Sequence, residues 1–144
     1  MIIKEDLKTL NSLEDNNLQI FLNENPNRID FVVLNIDTKE VFMQATIREY
    51  PKYFEVMTIA AKKGFGPLIY MIVMSYCKKF NKPLKPDSEI SKLAINVWDK
   101  FIEYNQVDII PLKNKKTMKI YDYGFKLKNT INYEDYLLQE LPKE

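Results

Sequence analysis

Histidine is absent from this 144-residue chain, and cysteine occurs once, at Cys77. Without histidine the commonest metal ligand and general base is missing, so no metal site and no histidine-dependent triad is expected. A lone cysteine excludes an internal disulfide framework. An excess of one charge is also missing: 21 basic and 20 acidic residues leave a formal charge of +1. No bulk field therefore favours nucleic acid or an anionic membrane, and neither is expected as a partner. Long apolar runs are lacking as well. The longest, residues 67–77, contains Tyr70, Ser75 and Tyr76 and is too short to span a bilayer. Met1-Ile2-Ile3-Lys4-Glu5-Asp6 turns charged at once, unlike a signal peptide, so a reducing cytoplasm is the expected setting.

What the chain does have is 46% hydrophobic residues, enough for one domain with a real core. Residues 17–22, 30–36, 41–48 and 53–61 read as strands, with turn clusters at 23–27 and 37–40 and a break at Tyr50-Pro51-Lys52. They predict an antiparallel meander. The period then changes. Residues 67–80 read as a helix apolar on nearly every side. Pro83-Leu84-Lys85-Pro86 allows only a short extended segment. Ile90, Leu93, Ala94, Val97, Trp98 and Phe101 keep a helical spacing, with Asp87 or Ser88 as the expected cap. Residues 108–112 and 119–123 read as closing strands, and residues from 133 onward as a final helix. The first 16 residues are expected to be a short helix or an irregular lead-in. The order of elements predicts an α+β domain.

Glycine is scarce, and two of the three glycines stand together in Ala61-Lys62-Lys63-Gly64-Phe65-Gly66-Pro67, between a strand and a helix. Glycine is kept where backbone turns sharply or approaches something closely. A strand, a glycine turn and a helix with proline in its first turn aim unpaired N–H groups at an anion. Lys62 and Lys63 suit a phosphate or pyrophosphate there, or simply solvate a bare turn. No Gly-Lys-Ser/Thr follows, so this is not a Walker loop. Ile69 stands at the third glycine position of a dinucleotide fingerprint, which is excluded too.

The order of these elements resembles the GNAT superfamily of N-acetyltransferases. Its pyrophosphate loop has the form Gln/Arg-x-x-Gly-x-Gly/Ala, and Ala61-Lys62-Lys63-Gly64-Phe65-Gly66 matches at both glycines but not at the first position. Ser91-x-x-Ala94-x-x-Val97-Trp98 is similar to the family's Asn-x-x-Ala-x-x-Leu-Tyr pattern. Gly64-Phe65-Gly66-Pro67-Leu68-Ile69-Tyr70, Pro86-Asp87, the Ser91 to Trp98 pattern and Asp108-Ile109 are closer still to GNAT-like proteins of tailed phages. The match covers residues 53–112, between an N-terminal meander (1–52) and closing strands with a C-terminal segment (113–144), in a single GNAT-like domain of 1–144.

The resemblance implies a GNAT-like α+β fold, a mostly antiparallel sheet with a splayed strand pair flanked by helices, and acetyl-CoA as the coenzyme. Backbone groups of Ile59, Ala60 and Ala61 would face the pantetheine arm. Lys62, Lys63, Gly64, Phe65 and Gly66 would face the pyrophosphate, and Asp87 and Ser91 would border the substrate cleft. It also implies a base at Glu55, for which a solvent-facing surface carboxylate is the alternative. The family's acidic tyrosine is replaced by Trp98, which is expected to pack with Phe101, and Tyr104 is the substitute acid. Asp87 and Ser91 are equally readable as helix-capping residues, and Cys77 as a packed thiol. The implied function is transfer of an acetyl group to an amine of a small molecule or a protein. The alternative is a non-catalytic virion component or host-binding protein on the same fold, found in the host cytoplasm or on the virion.

Overall fold

The computed structural model describes residues 11–138, an α+β structure around one eight-stranded mixed sheet. Strands β1 (Leu18–Asn25), β2 (Arg28–Asn35), β3 (Val41–Glu49) and β4 (Phe54–Ala61) form the expected antiparallel meander. Alternation sets its faces: Ile29, Phe31 and Val33, and Met43, Ala45 and Ile47, are buried, while Asp30, Val32, Gln44 and Thr46 point the other way. Asn27 and Lys39 take positive φ in the two hairpin turns. In β4 the pairing shifts between Thr46↔Thr58 and Ile47↔Val56, which leaves Met57 as an extra, bulged residue.

The chain then turns into α2 (Gly66–Lys79), preceded in the sequence by the short helix α1 (Asn11–Asp15). As its all-round apolar sequence predicts, α2 buries Leu68 to Tyr70 and Ile72 to Cys77. Strand β5 (Leu84–Lys85) pairs in parallel with β4 at Phe54↔Leu84 and Glu55↔Lys85 only. Proline on either side of β5 offers no N–H to extend that ladder. Residues 56–61 of β4 therefore run on with no strand partner on this edge, and the expected splayed pair is present.

Helix α3 (Lys92–Glu103) follows, then β6 (Val107–Pro111) and β7 (Tyr123–Leu127), with β7 inserted between β5 and β6. Trp98 of α3 is fully buried, stacked on Phe125 at 4.6 Å, edge-on to Tyr70 at 4.9 Å and 6.0 Å from Phe101. Gly124 explains the third glycine: a Cβ there would lie 2.7 Å from Pro83 Cβ, so β7 passes β5 only without a side chain.

Three expectations are corrected. The cap of α3 is Ser91, whose Oγ accepts from Ala94 N at 3.1 Å, rather than Asp87 or Ser88. Asp87 instead accepts from Glu89 N, and Ser88 accepts from Lys85. Residues 119–123 do not form a strand. The Asp122 carboxylate accepts from Lys119 N at 2.9 Å and closes a 3₁₀ turn at Ile120–Asp122, so β7 starts only at Tyr123. In place of a final helix, a 3₁₀ turn at Glu134–Tyr136 leads into β8 (Leu137–Leu138), which pairs in parallel with β1. The rest of the expected terminal segments, 1–10 and 139–144, lies outside the described residues. No helix among the described residues is long and apolar enough to cross a membrane.

Candidate functional site

The glycine turn leaves donors free. Lys62 N donates to Phe42 O at 2.8 Å and Phe65 N to Lys62 O at 2.9 Å. Gly64 closes this bend at φ 88°, a region that side chains disfavour. The backbone N–H groups of Lys63, Gly64 and Gly66 have no protein acceptor among the described residues, and no side chain caps α2. Unsatisfied N–H groups at a helix start, backed by the helix dipole, favour an anion. The two lysines differ: Lys62 is paired with Glu40 and lies 4.4 Å from the Phe42 ring centre, whereas Lys63 is exposed with no ion-pair partner among the described residues.

These groups open onto a cavity of about 700 Å³ with mostly apolar walls, bounded by the end of β4, the turn, the start of α2 and one face of α3. Ile59, Ala60, Ala61, Lys62, Lys63, Gly64 and Gly66 all line it. Phe65 does not; its ring is buried edge-on to Phe42 at 5.4 Å. On the α3 side stand Leu93 and Val97, which explains why Leu93, although on the apolar stripe, is 79% exposed.

A second cavity, of about 280 Å³, lies between residues 56–59 of β4, including the bulged Met57, and the loop carrying Asp87, Glu89 and Ile90. It shares Ile59, Tyr70, Ser91 and Ala94 with the first, so one cleft passes through the splay. Charge is segregated along it: Lys62 and Lys63 line one end, Asp87 and Glu89 the other. At the junction, the Tyr70 hydroxyl has no hydrogen-bond partner among the described residues. Burial, and then the Asp87 carboxylate, push its pKa up to about 12, so it stays a neutral phenol. In the sequence Tyr70 stands as the last residue of the Gly64 to Tyr70 motif with no role of its own, and the Met57 bulge carries no glycine or proline to mark it.

The two expected acid–base residues lie elsewhere. Glu55 lines neither cavity; its Oε2 accepts from Lys85 Nζ at 3.0 Å. Lys85 is 5% exposed and also donates to Pro86 O at 3.1 Å and Ser88 Oγ at 3.2 Å, so the pair closes the base of the splay. Tyr104 forms the C-terminal cap of α3 and lines neither cavity; the last α3 residue that does is Trp98, six helical steps or about 9 Å earlier along the axis. Asp87 and Ser91 do border the cleft. Cys77 is fully packed, and burial pushes its thiol pKa up. Among the described residues no group of three or more His, Cys, Asp or Glu side chains could hold a metal ion.

No protein-family model matches the chain, and no curated protein matches it. Among solved structures, it is similar to a Bacteroides thetaiotaomicron protein described as an acetyltransferase from the GNAT family. The two share 11% identity and a TM-score of 0.37 over 92% of this chain and 76% of that one.

Proposed function

We propose that this chain binds acetyl-CoA in the larger cavity and transfers its acetyl group to an amine that enters from the smaller one. The observation that carries this reading is the cleft through the β4–β5 splay, with free turn amides at one end and carboxylates at the other. A thioester supplies an activated acyl carbon whose leaving group is a thiolate. The amides of Lys63, Gly64 and Gly66, with the Lys63 ammonium, would receive the pyrophosphate. The unpaired edge of β4 offers backbone groups to the pantetheine arm and, at its amides, stabilisation of an oxyanion.

The amine lone pair attacks the thioester carbonyl carbon; the C–N bond forms and the C–S bond breaks. The proton lost by nitrogen ends on sulfur. Tyr70 is the titratable group at the junction of the cavities, and as a neutral phenol it can donate to the leaving thiolate. It takes the acid role that the resemblance implied for Tyr104. Glu55, engaged with Lys85, is a strut in this reading. The ordered motifs extend it to a phage-encoded enzyme of the host cytoplasm.

The second reading, a non-catalytic protein on the same fold, is favoured by Trp98 standing in place of the family's acidic tyrosine. Differential scanning fluorimetry tests both. At 100 times its Kd, acetyl-CoA stabilises the fold by about 2.7 kcal/mol, and amine-dependent release of thiol follows. Stabilisation without turnover over an amine panel supports the second reading. No shift at millimolar acetyl-CoA ends the first.

A further inference from the structure

We propose that the groove between the C-terminal half of α2 and the loop after β7 binds a small carboxylic acid. The Lys78 ammonium and the backbone amides of Thr130 and Asn132 would hold its carboxylate. This site is separate from the cleft and does not rest on the acyl-transfer reading.

The groove holds about 410 Å³, within the range of ligand pockets, and shares no lining residue with either cavity of the cleft. It lies at the end of α2 away from the glycine turn; Gly66 and Lys79 are thirteen helical steps, about 20 Å, apart. Ser75 and Tyr133 are its most buried lining residues. Ser75 Oγ accepts from Ile131 N at 3.0 Å, which turns the hydroxyl toward the loop and fixes the loop at Ile131. The amides on either side, those of Thr130 and Asn132, have no acceptor among the described residues. Neither has the proton of the Ser75 hydroxyl.

Charge gives a second, independent observation. Lys78 is half-buried, and its Nζ donates to two neutral acceptors, Leu127 O at 2.8 Å and Lys128 O at 3.4 Å. It has no carboxylate partner among the described residues, and the third N–H of the ammonium is unspent. The carboxylates around the groove are engaged. Glu134 pairs with Lys79 at 2.6 Å, and Glu24, which acts on Tyr133 through space, accepts from the Tyr76 hydroxyl at 2.6 Å. The carbonyls at the helix end, which would oppose an anion, are occupied as well: Cys77 O and Lys78 O accept from the backbone N–H groups of Phe80, Asn81 and Lys82. What remains is a set of free donors around one uncompensated positive charge, which suits an oxyanion. A carboxylate matches that charge, whereas a phosphate group, at about −1.5 to −2, exceeds it. Ile131 and the Tyr133 ring offer apolar wall to the carbon body of the acid.

The test is a residue-resolved NMR titration of the full chain, labelled with nitrogen-15, with propionate, propionamide and propylammonium. The three share a carbon body and differ in charge. Propionate is expected to bind in the millimolar range and to move the amide signals of Thr130, Ile131 and Asn132. The other two should bind at least about tenfold more weakly, the value of one charge-assisted contact. Lys78→Gln keeps a donor for Leu127 O but loses the charge, and should weaken propionate about tenfold; Lys78→Arg should retain it. Saturating coenzyme A should leave the propionate shifts in place.

Equal response to the three probes, shifts confined to residues 63–66 at the glycine turn, or unchanged affinity in a folded Lys78→Gln chain would each overturn the inference. Inorganic phosphate binding the groove more tightly than propionate would overturn the ligand class. Should Lys78→Gln fail to fold, the probe comparison on the wild-type chain decides alone.

Discussion

Replacing Gly66 with alanine separates folding from binding more cleanly than any other change in this chain. Gly66 opens α2 and does not take positive φ, unlike Gly64 at φ 88°. A Cβ at Gly66 meets only Val97 Cγ2, at 3.7 Å, an ordinary contact. The folded state thus accepts alanine, and the loss of chain entropy in the unfolded state favours it by about 0.4–1 kcal/mol. For a chain of this size that raises Tm by roughly 1–4 °C. Binding moves the other way. Gly66 and Val97 both line the larger cavity, so the new methyl stands between the two helices where a diphosphate would approach the turn. Lengthening one charge-assisted hydrogen bond costs about 1.5–3 kcal/mol, or a ten- to hundredfold loss of affinity. Calorimetry with coenzyme A and thermal unfolding of the same samples read both effects. Unchanged affinity in a variant at least as stable as the parent would refute the role given to the turn.

Three further predictions follow from contacts of other residues. Gly124→Ala sets a Cβ 2.7–2.8 Å from Pro83 and should cost about 1–3 kcal/mol in urea unfolding; no loss would mean that β7 can move away from β5. Glu55→Gln removes the charge paired with the buried Lys85, which keeps its bonds to Pro86 and Ser88. Stability should fall by about 1–3 kcal/mol with kcat unchanged, whereas a slowed enzyme of normal stability would make Glu55 the base. Tyr70 titrates near 12 in the fold against about 10 in the unfolded chain. Its contribution, about 2–3 kcal/mol, is fully present below pH 10 and is lost as pH rises through 12. Tyr70→Phe should flatten that part of the alkaline fall in Tm, leaving the part due to Tyr76, whose pKa is raised by burial and by its bond to Glu24. An unchanged slope between pH 10 and 12 would contradict this.

Local patterns carried much of the architecture. Strand-like runs bounded by turn clusters marked β2 and β3, rough alternation marked β4, and the apolar 3,1,3,1,3 spacing from Ile90 to Phe101 marked α3, because these signals are set by neighbours close in sequence. The glycine turn was visible because glycine is scarce and clustered. What stayed hidden depends on distant partners. Asp87 and Ser88 both have capping side chains, but Glu89 N and Lys85 engage them, so the cap passes to Ser91. Residues 119–123 have strand composition, yet one carboxylate bond from Lys119 N to Asp122 bends them. Glu55 gives no sign that a parallel contact of two residues will bring Lys85 beside it. Tyr70 ends the Gly64 to Tyr70 motif, but nothing near it in sequence gives it a role until α3 and the 87–91 loop close around it.

A crystal structure of the chain grown with acetyl-CoA is the most direct measurement of the central claim. The account predicts pyrophosphate oxygens within hydrogen-bond reach, about 2.7–3.2 Å, of the Gly64 and Gly66 amides. It also predicts the thioester at the junction of Ile59, Tyr70 and Ser91. Coenzyme bound elsewhere, or a turn that stays empty at saturating acetyl-CoA, would contradict it.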